Sequence, residues 1–370
     1  MKYLLSLFLI SISSLLIGQV FEDEAVQRII GKGADHIYNA NKDSAFYYAK
    51  QAQELLPDHP IAPMMRAIAL LWSNIPTITP ELFAEMESKL DSAVALAEAI
   101  DPDLKDPEMI FFTMSAHGLL AEYYADQGQT MKAVGEASRA YGLVKKGFDL
   151  VEEYPEFLFT TGLYNYFIER YPEKHPIYKP FIWFFRSGDK ALGLQQLQEA
   201  AETSLIMKVE AHVYLSYIYL RYEYKPEQAQ EYLSILCDKF PGNFYAKAKY
   251  LESLANEEDF KKAPLQMIYT LIKHDNAYYK LAGYVFLGYY EEVIIQNRSK
   301  AEYAYRKGLE YGLEIPDHGE FFKSFGYLGL GRLLNEQSKD EEAKYMLSQA
   351  LKFSETDQIT VEAKELLSKF

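Results

Sequence analysis

One spaced set of residues near the C-terminus constrains this chain more than any other: Tyr327-x2-Leu330-Gly331, Ala343 twelve residues after the glycine, then Leu347, Ala350 and Leu351. Two antiparallel helices cross closely only where small residues such as Gly331, Ala343 and Ala350 let the backbones approach. Tyr327, Leu330 and Leu347 then fill the volume between them. Such a hairpin cannot bury its apolar faces alone, so one good match implies neighbours on which it stacks. The pattern points to a binding scaffold rather than a catalyst.

Partial copies recur upstream. Tyr284-x2-Leu287-Gly288 repeats the first helix of the unit, with Ala301-x3-Tyr305 as its second. Ala229-x3-Leu233-x2-Leu236-x4-Pro241 and Ala45-x3-Ala49-x2-Ala52-x4-Pro57 match the second-helix pattern to its closing proline, and Leu90, Val94, Ala97 and Pro102 follow it closely. The prolines lack an N–H and clash with the preceding turn, so they stop the second helix. Ala229 to Ala301 spans 72 residues, two units of about 36; Ala301 to Ala343 spans 42, which places an insertion in the Glu314–Phe321 connection. The spacing resembles the tetratricopeptide repeat, with Tyr in place of its Trp. The expected architecture is an all-α, right-handed superhelical solenoid of antiparallel helix pairs.

Residues 1–18 stand outside this fold. Leu4 to Ile17 is an apolar run flanked by Lys2 and Gly18, too short for the about 20 residues that cross a bilayer. It reads as a secretory signal peptide, although Leu16 occupies a position where a small residue is preferred, and an uncleaved anchor is the alternative. The expected location is the periplasm of a Gram-negative bacterium, or its outer surface or surroundings as a secreted protein, with no membrane insertion once the signal is cleaved. The single cysteine, Cys237, can form no intramolecular disulfide and reads as a small buried hydrophobe. Removing Lys2 with the signal leaves a net charge of about −16, against the basic stripe that nucleic-acid binding needs. Acidity of this kind keeps a large helical surface soluble.

The middle of the chain departs from the repeat. Gly162 to Ile168 reads as a helix ending near Tyr171-Pro172, followed by a stretch that Pro172, Pro176 and Pro180 keep from being helical. Phe181-Ile182-Trp183-Phe184-Phe185 is the densest aromatic cluster, and Ser187-Gly188-Asp189 reads as a loop and cap for Lys190 to Glu202. Pro172 to Phe185 is expected to pack across the array. The string Gly162-Leu163-Tyr164-Asn165, Phe185-x-Ser187-Gly188-Asp189-Lys190-x2-Gly193-Leu194 and Ala200-Ala201 resembles the tetratricopeptide-repeat-39 family, which includes mitochondrial outer-membrane-associated inclusion-body proteins. That resemblance covers about forty residues and implies a helical scaffold with no catalytic residues to carry over. Its members are intracellular, so their cellular roles do not transfer to a chain that begins with a signal peptide. The whole also resembles secreted tetratricopeptide-repeat proteins of Bacteroidota. The expected division is 1–18 signal, 19–158 repeats, 159–190 aromatic insert, 191–357 repeats and 358–370 a capping helix.

Chemistry is sparse. His36, His59, His117, His175, His212, His274 and His318 are scattered, with no two at metal-ligand spacing, so no metal or cofactor is expected. His117 and His212 read as core histidines. Gly31-Lys32-Gly33 lacks the rest of a phosphate loop, and no G-x-S-x-G elbow occurs. The acidic clusters Glu152-Glu153, Glu257-Glu258-Asp259 and Asp340-Glu341-Glu342 read as solvated helix ends, and Asn297-Arg298-Ser299 as a loop. No catalytic residue is assigned.

Two functions remain open: a scaffold that holds a protein, peptide or surface component in its concave face, and a glycan-binding or glycan-cleaving helical protein. Near-register repeats favour an open array over a closed toroid. In a tetratricopeptide unit, counting from Tyr327 sets Phe325, Leu328, Arg332, Asn335 and Glu336 on the groove. Counting from Tyr284 adds Val285, Tyr289 and Glu292, and Arg221 and Tyr222 join from the helix before Ala229. Arginine, asparagine and tyrosine there suit a carboxylate or an extended backbone.

Overall fold

The computed structural model describes residues 19–174, 176, 179, 185–256 and 260–370. Among them there is no strand. A short α1 (Gln19–Glu22) leads into consecutive antiparallel pairs: α2 (Glu24–Tyr38) with α3 (Lys42–Leu55), α4 (Ile61–Trp72) with α5 (Pro80–Ile100), α6 (Pro107–Asp126) with α7 (Thr130–Leu150), and α8 (Glu156–Lys174) with α9 (Lys190–Thr203). The second half continues with α10 (Lys208–Arg221) and α11 (Pro226–Lys239), α12 (Phe244–Asn256) and α13 (Leu265–Ile272), α14 (Ala277–Tyr290) and α15 (Arg298–Leu313), and α16 (Glu320–Glu336) and α17 (Asp340–Phe353). Helix α18 (Asp357–Leu367) packs on α16 and α17.

The small-residue register is where the pairs close. Ala45, Ala49 and Ala52 of α3 are fully buried, as are Ala229, Leu233 and Leu236 of α11 and Ala343, Leu347 and Ala350 of α17. A Cβ on Gly331 would lie 2.5 Å from Leu347 Cδ2, and one on Gly288 2.6 Å from the Tyr305 ring. The outer, odd-numbered helices are mostly amphipathic, whereas inner helices such as α4 and α16 are buried nearly all round. Starts are capped as the residues predict: Asp23, Thr79, Asp106 and Asp189 each accept backbone N–H groups of the following turn, and Pro80 and Pro107 occupy first positions. Asp340, Glu341 and Glu342 form the first turn of α17, where the helix dipole favours them. Asn297 caps α15 by accepting from Lys300 N, a more defined role than a loop position. Lys323 spans the connection before α16, donating its Nζ to Ile315 and Pro316 carbonyls at 2.7 and 2.9 Å.

Two buried carboxylates tie helices that are not partners. Glu108, at the start of α6, accepts from Val20 N and Phe21 N at 3.1 and 3.2 Å and pairs with His59 Nε2 at 2.6 Å. Glu156, at the start of α8, accepts from the backbone of Leu205, Ile206 and Met207 and so fixes the turn that leads into α10.

Helix α8 runs two residues past Pro172, correcting the expected end. A proline in the last turn forfeits one hydrogen bond near a terminus that already has free carbonyls, which costs little there. Of the aromatic insert, Ile177, Tyr178 and Phe181 to Phe184 lie outside the described residues. Phe185 meets the Tyr141 ring at 5.3 Å, and Tyr164 donates to Arg186 O at 2.6 Å. The glycines of the string that resembles the tetratricopeptide-repeat-39 family have a packing role. A Cβ on Gly193 would sit 2.6 Å from Tyr166 N and 2.8 Å from Gly162 O, so α8 and α9 touch backbone to backbone.

The array is not open throughout. The C-terminal ends of α2 and α4 reach the N-terminal ends of α10, α12 and α14. Tyr38 donates to Glu210, Gly242 N to Asn39 Oδ1 at 2.8 Å, Asn276 Nδ2 to Thr77 Oγ1 at 2.7 Å, and Tyr279 OH to Ile75 O at 2.7 Å. Tyr38 meets Phe240 and Trp72 meets Tyr245 ring against ring. The negative ends of two helix dipoles thereby face the positive ends of three. This closure turns the inner helices toward one another.

Candidate functional site

Inside the curve, side chains at helical spacing converge. Helix α10 presents Glu210, Tyr214, Tyr217 and Arg221, a stripe of i, i+4, i+7 and i+11. Helix α6 presents Glu122, Tyr123 and Asp126, and α12 presents Tyr245 and Lys249. Tyr214 donates to Glu122 Oε2 at 3.2 Å, joining the walls formed by α6 and α10. Tyr245 packs against the apolar cores of both halves of the chain. His318, from the turn before α16, bears electrostatically on Asp126, and Glu355, before α18, pairs with Arg221 at 3.4 Å.

This chamber has two electrostatic halves. In one, the fully buried Glu252 contacts Arg221 and accepts from Lys249 Nζ at 3.0 Å. The two cations lie 5.3 and 5.4 Å from the Phe321 and Phe322 ring centres. Burial alone would raise the Glu252 carboxyl, but the adjoining charges of Arg221 and Lys249 prevail and hold it below the usual range. In the other half Glu122 and Asp126 stay open to water with protein around them. Burial, then the Asp126 charge, pushes Glu122 up to about 6 against the Tyr214 hydrogen bond. Asp126 is raised by burial too, with His318 opposing. Among the described residues neither carboxylate forms an ion pair.

The residues expected from sequence fall in different places. Arg221 faces the chamber but is already engaged by Glu252 and Glu355. Tyr222 is buried behind it, edge-on to Phe167 at 5.2 Å. Tyr289, Glu292, Phe325 and Arg332 do come together, as a packed cluster: Phe325 is buried with its ring 4.9 Å from that of Tyr289, and Arg332 holds Glu292 at 2.8 and 3.0 Å and Glu362 at 2.8 Å. Burial opposes the Arg332 charge, but Glu292 and Glu362 outweigh it and keep it protonated. Leu328 and Val285 are core residues, so their expected groove placement, like that of Phe325, is corrected. The reason is that α14 and α18 both pack against α16 and cover the faces that the repeat numbering leaves open. Asn335 is half-buried one turn beyond Arg332, and Glu336 pairs with Arg298 at the surface. The counting missed Glu122, Asp126, Tyr214, Tyr217 and Tyr245. Their signal was available as charged and tyrosyl residues recurring at i, i+4 and i+7 on helices otherwise apolar.

His117 and His212 are buried, the first 2.6 Å from Glu136 and the second bonded to Lys208 O. Gly33 lies inside α2 against Met65, as helix packing rather than a phosphate loop would have it. Among the described residues no group of His, Cys, Asp or Glu could hold a metal ion, and no helix is long and apolar enough to cross a membrane.

Helix pairs closed by small residues, with the inner helices turned to a shared interior, define an all-α array of consecutive antiparallel helix pairs. No family model matches the sequence, and no curated protein matches it. One similar solved structure is described as the crystal structure of the P58(IPK) TPR domain at 2.5 Å. The likeness covers 93% of this chain and 99% of that one at 14% identity, with a TM-score of 0.25.

Proposed function

We propose that this is an exported, non-catalytic scaffold that holds a segment of a protein or peptide partner in the chamber between α6, α10 and α12. The observation that carries the reading is the pair Glu122 and Asp126: open to water, walled by tyrosines and without an ion-pair partner among the described residues. Accessible phenol rings beside uncompensated carboxylates suit a basic side chain, which gains charge pairing and ring contact together. Export rests on the apolar run Leu4–Ile17. The location proposed is the envelope of a Gram-negative bacterium.

The test uses the chain from Gln19 onward and labelled peptides of alternating lysine–serine and glutamate–serine. The basic peptide is expected to bind, more weakly as salt rises, and Glu122→Gln with Asp126→Asn to weaken it by about tenfold or more, about 1.4 kcal/mol. Equal binding of the acidic peptide, or of the double variant, overturns the reading. Sequencing the N-terminus of the protein from the periplasmic fraction tests export; an intact Met1 there overturns cleavage.

A further inference from the structure

We infer that the contact of the α2 and α4 ends with the α10, α12 and α14 starts is a clasp that opens as a unit while the helix pairs stay folded, and that its opening admits the partner to the chamber.

The composition of this contact sets it apart from the rest of the fold. Within each pair, helices close over continuous apolar rows. Here, by contrast, five hydrogen bonds and a few ring contacts do the joining: Tyr38 and Trp72 to Glu210, Gly242 to Asn39, Asn276 to Thr77 and Tyr279 to Ile75. Regions with few buried apolar contacts open at lower free energy than the core. The packing is also incomplete. A crevice of about 30 Å³ lies in the seam, lined by Trp72, Asn243, Tyr245, His274 and Asn276 among others. Asn243 is buried there, and its Nδ2 has no hydrogen-bond partner. A well-set interface satisfies such groups.

The contact is nonetheless specific. A Cβ on Gly242 would lie 2.4 Å from Asn39 O, so two turns 203 residues apart meet at backbone distance. Tyr245 then links the seam to the chamber, since it borders the crevice and also lies in the electrostatic surroundings of Tyr123, Tyr214 and Tyr217. Separating the α2 and α4 ends from Gly242 and Tyr245 would widen that side of the chamber without unpairing a helix.

The admission step rests on the chamber reading; the opening itself does not, and the two are measured separately. The triple variant Tyr38→Phe, Thr77→Val, Tyr279→Phe keeps the rings and the Asn276 cap of α14 and removes three of the bonds. Amide exchange in residues 39–41, 73–77 and 242–245 should rise at least fivefold, with α16 to α18 unchanged. No rise, or a uniform rise along the chain, overturns the clasp whatever the peptides do. The lysine–serine peptide should associate at least threefold faster with the variant than with wild type. Local opening with an unchanged association rate overturns gating, whereas failure of wild type to bind the peptide counts against the chamber and leaves the exchange result standing.

Discussion

Replacing Glu252 with Gln should be among the most damaging single changes in the chamber. The side chain has no solvent exposure and contacts two cations, Arg221 and Lys249 at 3.0 Å. Glutamine fills the same volume but leaves both charges facing a neutral amide, with only the half-exposed Glu355 at 3.4 Å to compensate Arg221. Breaking a buried pair from one side costs about 3–5 kcal/mol. The remaining Glu355 contact puts this case near the lower figure, about 3 kcal/mol. At roughly 2.1 cal/mol/K per residue over roughly 350 folded residues, that is a fall in Tm of about 4 °C. Calorimetry at neutral pH measures it. The penalty should also shrink in acid. Glu252 is held below its unfolded carboxyl range, chiefly by Arg221 and Lys249 against the opposing effect of burial. Its contribution is therefore present above the unfolded pKa and lost as pH falls through the folded one. Replacing all three groups with apolar ones (Arg221→Met, Lys249→Met, Glu252→Leu) should recover most of the loss, because no unpaired charge remains. A Tm within 1 °C of wild type for Glu252→Gln, or a triple variant less stable than the single, refutes the reasoning.

Three further outcomes are expected. Gly193→Ala drives a methyl into the Tyr166 and Gly162 backbones and should cost about 2–3 kcal/mol in denaturant melts, whereas Gly135→Ala, with nothing within 4 Å, should gain up to about 1 kcal/mol. Burial raises Glu210 to about 7 despite the Tyr38 and Trp72 hydrogen bonds, so the folded state binds its proton more tightly than the unfolded chain. Its contribution to stability is therefore full at low pH and declines between about 4.5 and about 7, and Glu210→Gln should flatten that slope in melts across the range. Burial pushes the Cys237 thiol up to about 12, so a thiol reagent at pH 8 should label the native protein far more slowly than the guanidinium-unfolded chain.

What the sequence makes legible is local. Ala229, Leu233 and Leu236 sit four and three residues apart, and that spacing alone decides which face of α11 is buried; the same holds for Ala45 and Ala343 with their neighbours. Pro57, Pro102 and Pro241 follow the ends of α3, α5 and α11 as a residue without an N–H should. The closure is not legible, because Asn39 and Gly242 look like ordinary turn residues until the backbones are seen to meet. The burial of Phe325 and Leu328 is not legible for a related reason. Counting positions within one repeat assumes a wide groove, and Phe325 and Leu328 would line it only if α18 and α14 did not lie against α16. Tyr214 and Tyr217 were hidden among 31 tyrosines, many of them core residues, and only the opposing wall of α6 separates the two uses.

The meeting of Asn39 with Gly242 also bears on how such a chain can change over evolutionary time. A strictly linear array tolerates gain or loss of a unit anywhere, since each unit knows only its neighbours. Here the stretch from 39 to 242 behaves like the circumference of a ring. Adding one helix pair inside it would carry Gly242 past Asn39 by the rotation of a whole unit, and deleting one would leave it short. Unit number between those residues is therefore fixed by geometry, and the reach of Glu355 back to Arg221 sets a second such constraint on the units between α10 and α18.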